Sequence, residues 1–313
     1  MFMRHKSKEE KERLALIDKI RKEIDNFPRL RRGYSKEREE VIDLHLTLAY
    51  LYADIPQFHS YALQEFQIAR TLTEELGDQK KLAHISGVIA YMYLAQLSYS
   101  QAIPYYKEAI ELLKTDTFNK EMMIAKKGLG IAYLKSGNHE MGINILTDAA
   151  EICVELGDVN NYMEIVTEIS AFYQETTDWK MVIEIESKAL KILLDMGADG
   201  EISNTYIDIG IAFSKLKKHT DALLNFKQAV NYAIKSENNL SIYRGIVLVA
   251  ESYFHLRDIK SAKKEYLQAL SLAAFMGMED ETNKTKMVLL TLGASDLELS
   301  QAEEVGKKEI EKS

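Results

Sequence analysis

Apolar positions in this chain recur in two helical phases that alternate along its length, and the pair of phases repeats every 40 residues. Alanine stands at Ala69, Ala109, Ala149, Ala189, Ala229 and Ala269, six positions at a constant interval of 40. Seven residues before each lies a mostly small position: Ala62, Ala102, Gly142, Val182, Ala222 and Ala262. Between the two columns runs a bulky one, Phe66, Tyr106, Leu146, Phe226 and Tyr266, broken once by Glu186. Earlier in each period come Tyr93, Tyr133, Tyr173, Phe213 and Tyr253, each three residues after a small residue: Ala90, Gly130, Ser170, Gly210 and Ala250. Small residues at fixed places let two helix backbones approach, and aromatic rings fill the space beside them. Each period therefore predicts a helical hairpin.

Turn chemistry sets the predicted boundaries. The stretch Glu-Leu-Gly-Asp occurs at 75–78 and again at 155–158, and Gly197 and Gly277 continue the series, with Thr117 and Glu237 at the remaining two places. Glycine at these points ends the second helix of a hairpin in a left-handed residue. Gly137-Asn138, Thr177-Asp178 and Arg257-Asp258 fall between the two helices of a hairpin, where the Asn and Asp side chains are suited to cap the second helix. The resulting hairpins span 41–76, 79–116, 119–156, 159–196, 199–236 and 239–276. Residues 1–40 read as a basic N-terminal helix and linker, with Leu14, Ile17, Ile20, Ile24 and Phe27 as its apolar stripe. Residues 279–293 read as a C-terminal capping helix and 295–313 as a charged, fraying tail.

These columns resemble the tetratricopeptide repeat family, through Gly130 with Tyr133, Gly210 with Phe213, and the alanine-aromatic-alanine sets Ala222, Phe226, Ala229 and Ala262, Tyr266, Ala269. The family's usual unit is about 34 residues. The longer period is similar to that of peptide-sensing regulators of the Rap and AimR kind and of adaptors of the LGN and kinesin-light-chain kind. The resemblance implies an all-α, right-handed superhelical solenoid of six hairpins with a capping helix at each end. It further implies that the first helices line a concave wall that binds a peptide or protein segment.

On that reading the wall changes character along the chain. Leu44, Leu48, Leu51, Val88, Tyr91, Ile124 and Ile131 form an apolar groove, which calls for a cover from the N-terminal helix or from an amphipathic partner segment. Glu164, Glu168, Gln174, Glu175, Asn204, Asp208, Lys215, Arg244, Glu251 and His255 form a polar stretch. Amide and charged side chains of this kind hold a peptide by its backbone, termini and charged residues. Glu186 calls either for a facing partner such as a tyrosine hydroxyl or for a looser fourth hairpin, because a buried carboxylate is costly without a hydrogen-bonding neighbour.

Composition narrows the function classes. With 46% hydrophobic and 28% charged residues and three prolines, the chain reads as globular helical material. Its net charge of −8 divides unevenly: residues 1–38 carry 13 Lys/Arg against 7 Asp/Glu, or +6, which leaves 27 against 41, or −14, for the rest. An acidic body argues against nucleic-acid binding, although Arg29-Leu30-Arg31-Arg32 is a dense basic stretch. A single cysteine, Cys153, excludes an intramolecular disulfide framework. No apolar run suggests a membrane span and no secretory leader is evident, so the expected compartment is the cytoplasm. No catalytic constellation, metal site or cofactor motif is found, and the chain reads as non-enzymatic. The expected function is an interaction scaffold. A peptide-responsive regulator similar to the Rap and AimR group, or a constitutive subunit of a larger complex, are its alternatives, and self-association stays open.

Overall fold

The computed structural model describes residues 8–26, 35–114 and 120–310. Arg29-Leu30-Arg31-Arg32, Phe27 and Thr117 lie outside them. Fifteen α-helices and one 3₁₀ turn, Pro56–Phe58, account for nearly all the described residues, and no strand is present among them. The chain divides into two compact units, one ending at Leu156 and one beginning at Gly157.

The first unit contains α1 (Lys8–Asn26) followed by three hairpins: α2 (Ser35–Ala53) with α3 (His59–Leu76), α4 (Gln79–Ala95) with α5 (Tyr99–Leu112), and α6 (Lys120–Lys135) with α7 (His139–Leu156). The second contains α8 (Val159–Glu175) with α9 (Trp179–Met196), α10 (Asp199–Lys215) with α11 (His219–Lys235), and α12 (Asn239–His255) with α13 (Ile259–Phe275). It closes with α14 (Glu279–Thr291) and α15 (Asp296–Ile310). The architecture is thus all-α, six helical hairpins with additional helices at both ends.

The repeat columns form the core. All six column alanines are buried, at 1% exposure or less. The bulky column beside them is buried too, including Glu186 at 2%. Two glycines are required for the close approach of helices within a hairpin. A Cβ on Gly142 would stand 2.7 Å from the backbone nitrogen of Leu134, and one on Gly210 would collide with the Phe226 ring.

Except at the elbow of the first hairpin, which the 3₁₀ turn Pro56–Phe58 makes, loops are short because left-handed residues do the turning. Between hairpins these are Gly77, Gly157, Gly197, Glu237 and Gly277. Within hairpins they are Leu97, Gly137, Thr177, Lys217 and Arg257. At each of the five elbows the next N–H closes the turn by donating to the column aromatic's carbonyl: Ser98 to Tyr93, Asn138 to Tyr133, Asp178 to Tyr173, Lys218 to Phe213 and Asp258 to Tyr253. This six-to-one bond satisfies a helix-end carbonyl. Glu-Leu-Gly-Asp therefore does two things. Its glycine stops one helix, and its aspartate caps the next: Asp78 accepts from the Lys81 N–H at 3.0 Å and Asp158 from the Asn161 N–H at 3.1 Å.

Both ends depart from the expectation. The second helix of the chain begins at Ser35, six residues before the predicted first hairpin. The C-terminal segment does not fray: Asp296–Ile310 is helical and packs on α13, burying Leu299 with Tyr266, Leu270 and Leu289. A Ser295 cap starts it, with the Glu298 carboxylate accepting from the Ser295 N–H at 2.8 Å and the Ser295 hydroxyl accepting from the Glu298 N–H at 3.3 Å. Of the charges that suggested a loose tail, Glu298 pairs with Lys263 of α13 and Glu303 with Lys286 of α14, while Asp296, Glu304 and Lys307 are exposed.

Candidate functional site

The expected site residues separate cleanly between the units. All seven apolar residues lie in the first unit, on α2, α4 and α6, and all ten polar ones lie in the second, on α8, α10 and α12.

In the first unit, α1 supplies the cover for part of the apolar face. Leu48 is 1% exposed and shares a cluster with Ile17 and Ile20 of α1, with Leu44 and Leu51 packed against it. Leu48 is therefore core and no open groove residue, because the N-terminal helix occupies the place beside it. Further along, Val88, Tyr91 and Ile124 line a small cavity of about 210 Å³ together with His84, Gly87 and Tyr106. Tyr91 and Ile124 stay substantially exposed there, at 64% and 46%. Ile131 is half-buried and lines neither feature.

In the second unit, the polar residues fall into two groups. Asp208 is half-buried on α10 with its carboxyl pushed up to about 6 by burial, which the Arg244 guanidinium partly offsets. Behind it Glu186, from α9, is pushed up to about 7, again by burial, with the Ser170 hydroxyl favouring the charged form and Asp208 opposing it. Glu186 Oε2 is buried without a hydrogen-bond partner. In place of a tyrosine hydroxyl, Glu186 has Ser170 and Asp208 as its polar neighbours, and Ser170 Oγ is likewise buried without a hydrogen-bond partner.

The other group surrounds a cleft of about 560 Å³ at the elbow end of α10, α11 and α12. Lys215, Glu251 and His255 line it, with Ile211, Phe226 and Leu248 as its apolar floor. Sequence reasoning missed Lys217, His219, Ser214 and Ser252, which line the same cleft. His219 belongs to a column with His59 and His139, and that periodicity hid it by making it look like elbow packing. Burial raises the Glu251 carboxyl, and the nearby His255 works the other way. Asn204 and Arg244 are exposed one to three turns from the cleft on α10 and α12. Glu164, Glu168, Gln174 and Glu175 lie on α8, away from the cleft lining, with Glu168 half-buried and the other three exposed.

The arrangement offers donors and acceptors on two neighbouring helices. From Asn204 to Lys215 along α10 is about 17 Å at 1.5 Å per residue, a length that about five extended residues span. Among the described residues no group of three potential metal ligands comes together, and no helix is long and apolar enough to cross a membrane.

Comparison with known proteins agrees with this architecture. Residues 243–275, the sixth hairpin, match the tetratricopeptide repeat family model. The apo form of RapI is similar in fold, with 14% identity, 93% of this chain and 85% of that one covered, and a TM-score of 0.58. BtubC (BKLC) from P. vanneervenii has 15% identity over 73% of this chain and 91% of its own, with a TM-score of 0.53. A signal transduction ATPase with a tetratricopeptide repeat sensor from Pyrococcus horikoshii has 15% identity over 99% of this chain and 54% of its own, also with a TM-score of 0.53. No curated protein matches the chain. The chain is built of tetratricopeptide-like repeats, and identities this low show the fold alone.

Proposed function

We propose that the chain is a non-enzymatic, cytoplasmic interaction scaffold that binds an extended peptide or protein segment on the α10 and α12 face of the second unit. The observation that carries this reading is the cleft at the end of that face, with Lys215, Glu251 and His255 on its walls and an apolar floor. Asn204 has an amide that both donates to and accepts from a peptide backbone, and Arg244 presents a planar fork suited to a carboxylate. Asp208 and Glu251 stand ready for donors. A binding site needs such a few placed polar groups around an apolar surface of this size. The repeat fold supports the reading, since stacked hairpins present continuous surfaces for binding.

Panning a random peptide library against the full chain tests it. Wild-type protein is expected to enrich a common motif, and the selected peptide, measured by fluorescence anisotropy, is expected to lose about tenfold or more in affinity to Asn204→Ala with Arg244→Ala, about 1.4 kcal/mol. Tyr91→Ala in the first unit is expected to leave it unchanged. A peptide that binds both the wild type and the double variant equally overturns the assignment of this face.

A further inference from the structure

The cleft contains a cluster that recognition of a peptide backbone does not use. His219, the first residue of α11, and His255, the last of α12, stack with ring centroids 4.6 Å apart and planes 12° from parallel. His219 Nδ1 is buried and has no hydrogen-bond partner. Lys215 and Lys217 line the same space, as do the hydroxyl-bearing Ser214 and Ser252. Lys217 is held in the left-handed region at φ 59°, so the elbow fixes the position from which its side chain departs. Lys215 is steadied against Trp179, its ammonium 5.9 Å from the ring centroid.

The start of α11 adds to this. Helices α9 and α13 are preceded by Asp178 and Asp258, whose carboxylates accept from the N–H groups of Met181 and Ser261. The residue before α11, Lys218, makes no side-chain cap. The aspartate cap of α9 and α13 is thus absent at α11, whose first turn carries the acid Asp221, exposed and outside the cleft lining. Burial first, then the facing His255 ring and Lys217, push His219 below the ordinary histidine value. Glu251 is the one acid lining the cleft, and its carboxyl is raised by burial. Two lysines, two imidazoles and one acid thus surround a volume ample for a small anion.

We propose that this cleft binds the dianionic phosphoryl group of a phosphate monoester, carried either by a phosphorylated side chain of the bound peptide or by a free small molecule. Three terminal oxygens match the separate donors at Lys215, Lys217 and the imidazoles better than the two oxygens of a carboxylate. The inference deepens the peptide reading of the same face and rests on it only for the first of those two sources.

NMR of the full chain, labelled at histidine, tests it with inorganic phosphate as the probe and chloride of equal ionic strength as the control. Phosphate is expected to move the His219 and His255 ring signals saturably and to leave the buried His45 of the first unit unmoved. Lys215→Gln with Lys217→Gly, which keeps the left-handed elbow accessible, is expected to weaken that binding about tenfold or more. Ring signals that respond equally to chloride, or a double variant that binds phosphate as the wild type does, overturn the site. A second arm compares one panned peptide synthesised with serine and with phosphoserine. A gain of about tenfold for the phosphorylated form assigns the source to the peptide. Phosphate-dependent shifts with no such gain assign it to a free compound. Phosphate shifts in a protein whose peptide binding ignores Asn204→Ala with Arg244→Ala leave the cleft standing and remove the peptide reading alone.

Discussion

The two units are built from the same 40-residue hairpin, yet one turns an apolar face outward and covers part of it with its own chain, while the other turns out charge. In the first unit Leu48 is core because Ile17 and Ile20 of α1 lie in the same cluster. In the second, the corresponding helices carry Asp208, Arg244 and Glu251, and burial holds two of these carboxyls above the usual range. A repeat separates the residues that fold it from those left to vary. The alanine and aromatic columns are common to both units, and the positions between them differ without disturbing the hairpin. Stability and recognition are therefore open to separate perturbation.

The largest expected effects per residue changed come from the shared columns. Gly142→Val in the first unit and Gly210→Val in the second force a branched side chain into Leu134 and Phe226 respectively, and each is expected to cost about 3 kcal/mol in denaturant melts. Gly200→Ala, where a Cβ meets nothing, is expected to cost no more than about 0.5 kcal/mol. Next comes the cover: Ile17→Ala with Ile20→Ala leaves cavities against Leu48, and a loss of about 4 kcal/mol, with new binding of a hydrophobic dye, is expected. Equal stability without dye binding would show that α1 is no part of the core.

The second unit also has a pH signature that the first lacks at the equivalent place. Glu186 replaces Phe66, Tyr106 and Leu146 of the earlier hairpins, and its carboxyl is pushed from 4.5 to about 7 by burial. A raised acid value means that the folded form binds the proton more tightly. The chain is thus favoured below about pH 4.5 at this group, and stability is lost as pH rises through 7. The penalty above that is about 3 kcal/mol at most. Glu186→Leu is expected to flatten the fall in stability between pH 5.5 and 8, read by urea melts at each pH. A variant with the wild-type slope would place the titration elsewhere.

How much of this was legible follows from the same division. The hairpins could be read because small residues, aromatics and left-handed turns must recur wherever two helices touch, as at Thr177 between α8 and α9. The helix after Ser295 was not legible, since its charge outweighs the few apolar contacts, such as Leu299, that dock it. The polar face was visible as composition, but its cleft was not. His219 and Lys217 come from an elbow and Glu186 from the helix behind, and tertiary packing alone brings them beside residues chosen by helical periodicity.

The smallest expected effect lies at the elbows. Leu97 at φ 57° and Arg257 at φ 63° hold a conformation that L residues with a Cβ disfavour. Leu97→Gly and Arg257→Gly are each expected to stabilise by about 0.5 kcal/mol, the relief of the left-handed strain less glycine's greater entropy loss.

The claim that recognition resides in the second unit meets its most direct test in hydrogen exchange of the full chain with and without a panned peptide. Peptide-dependent protection is expected in residues 199–219 and 239–258, with little change at 79–95 and 120–135. Protection confined to the helices around Tyr91 and Ile124 would contradict the account and move the site to the apolar face of the first unit.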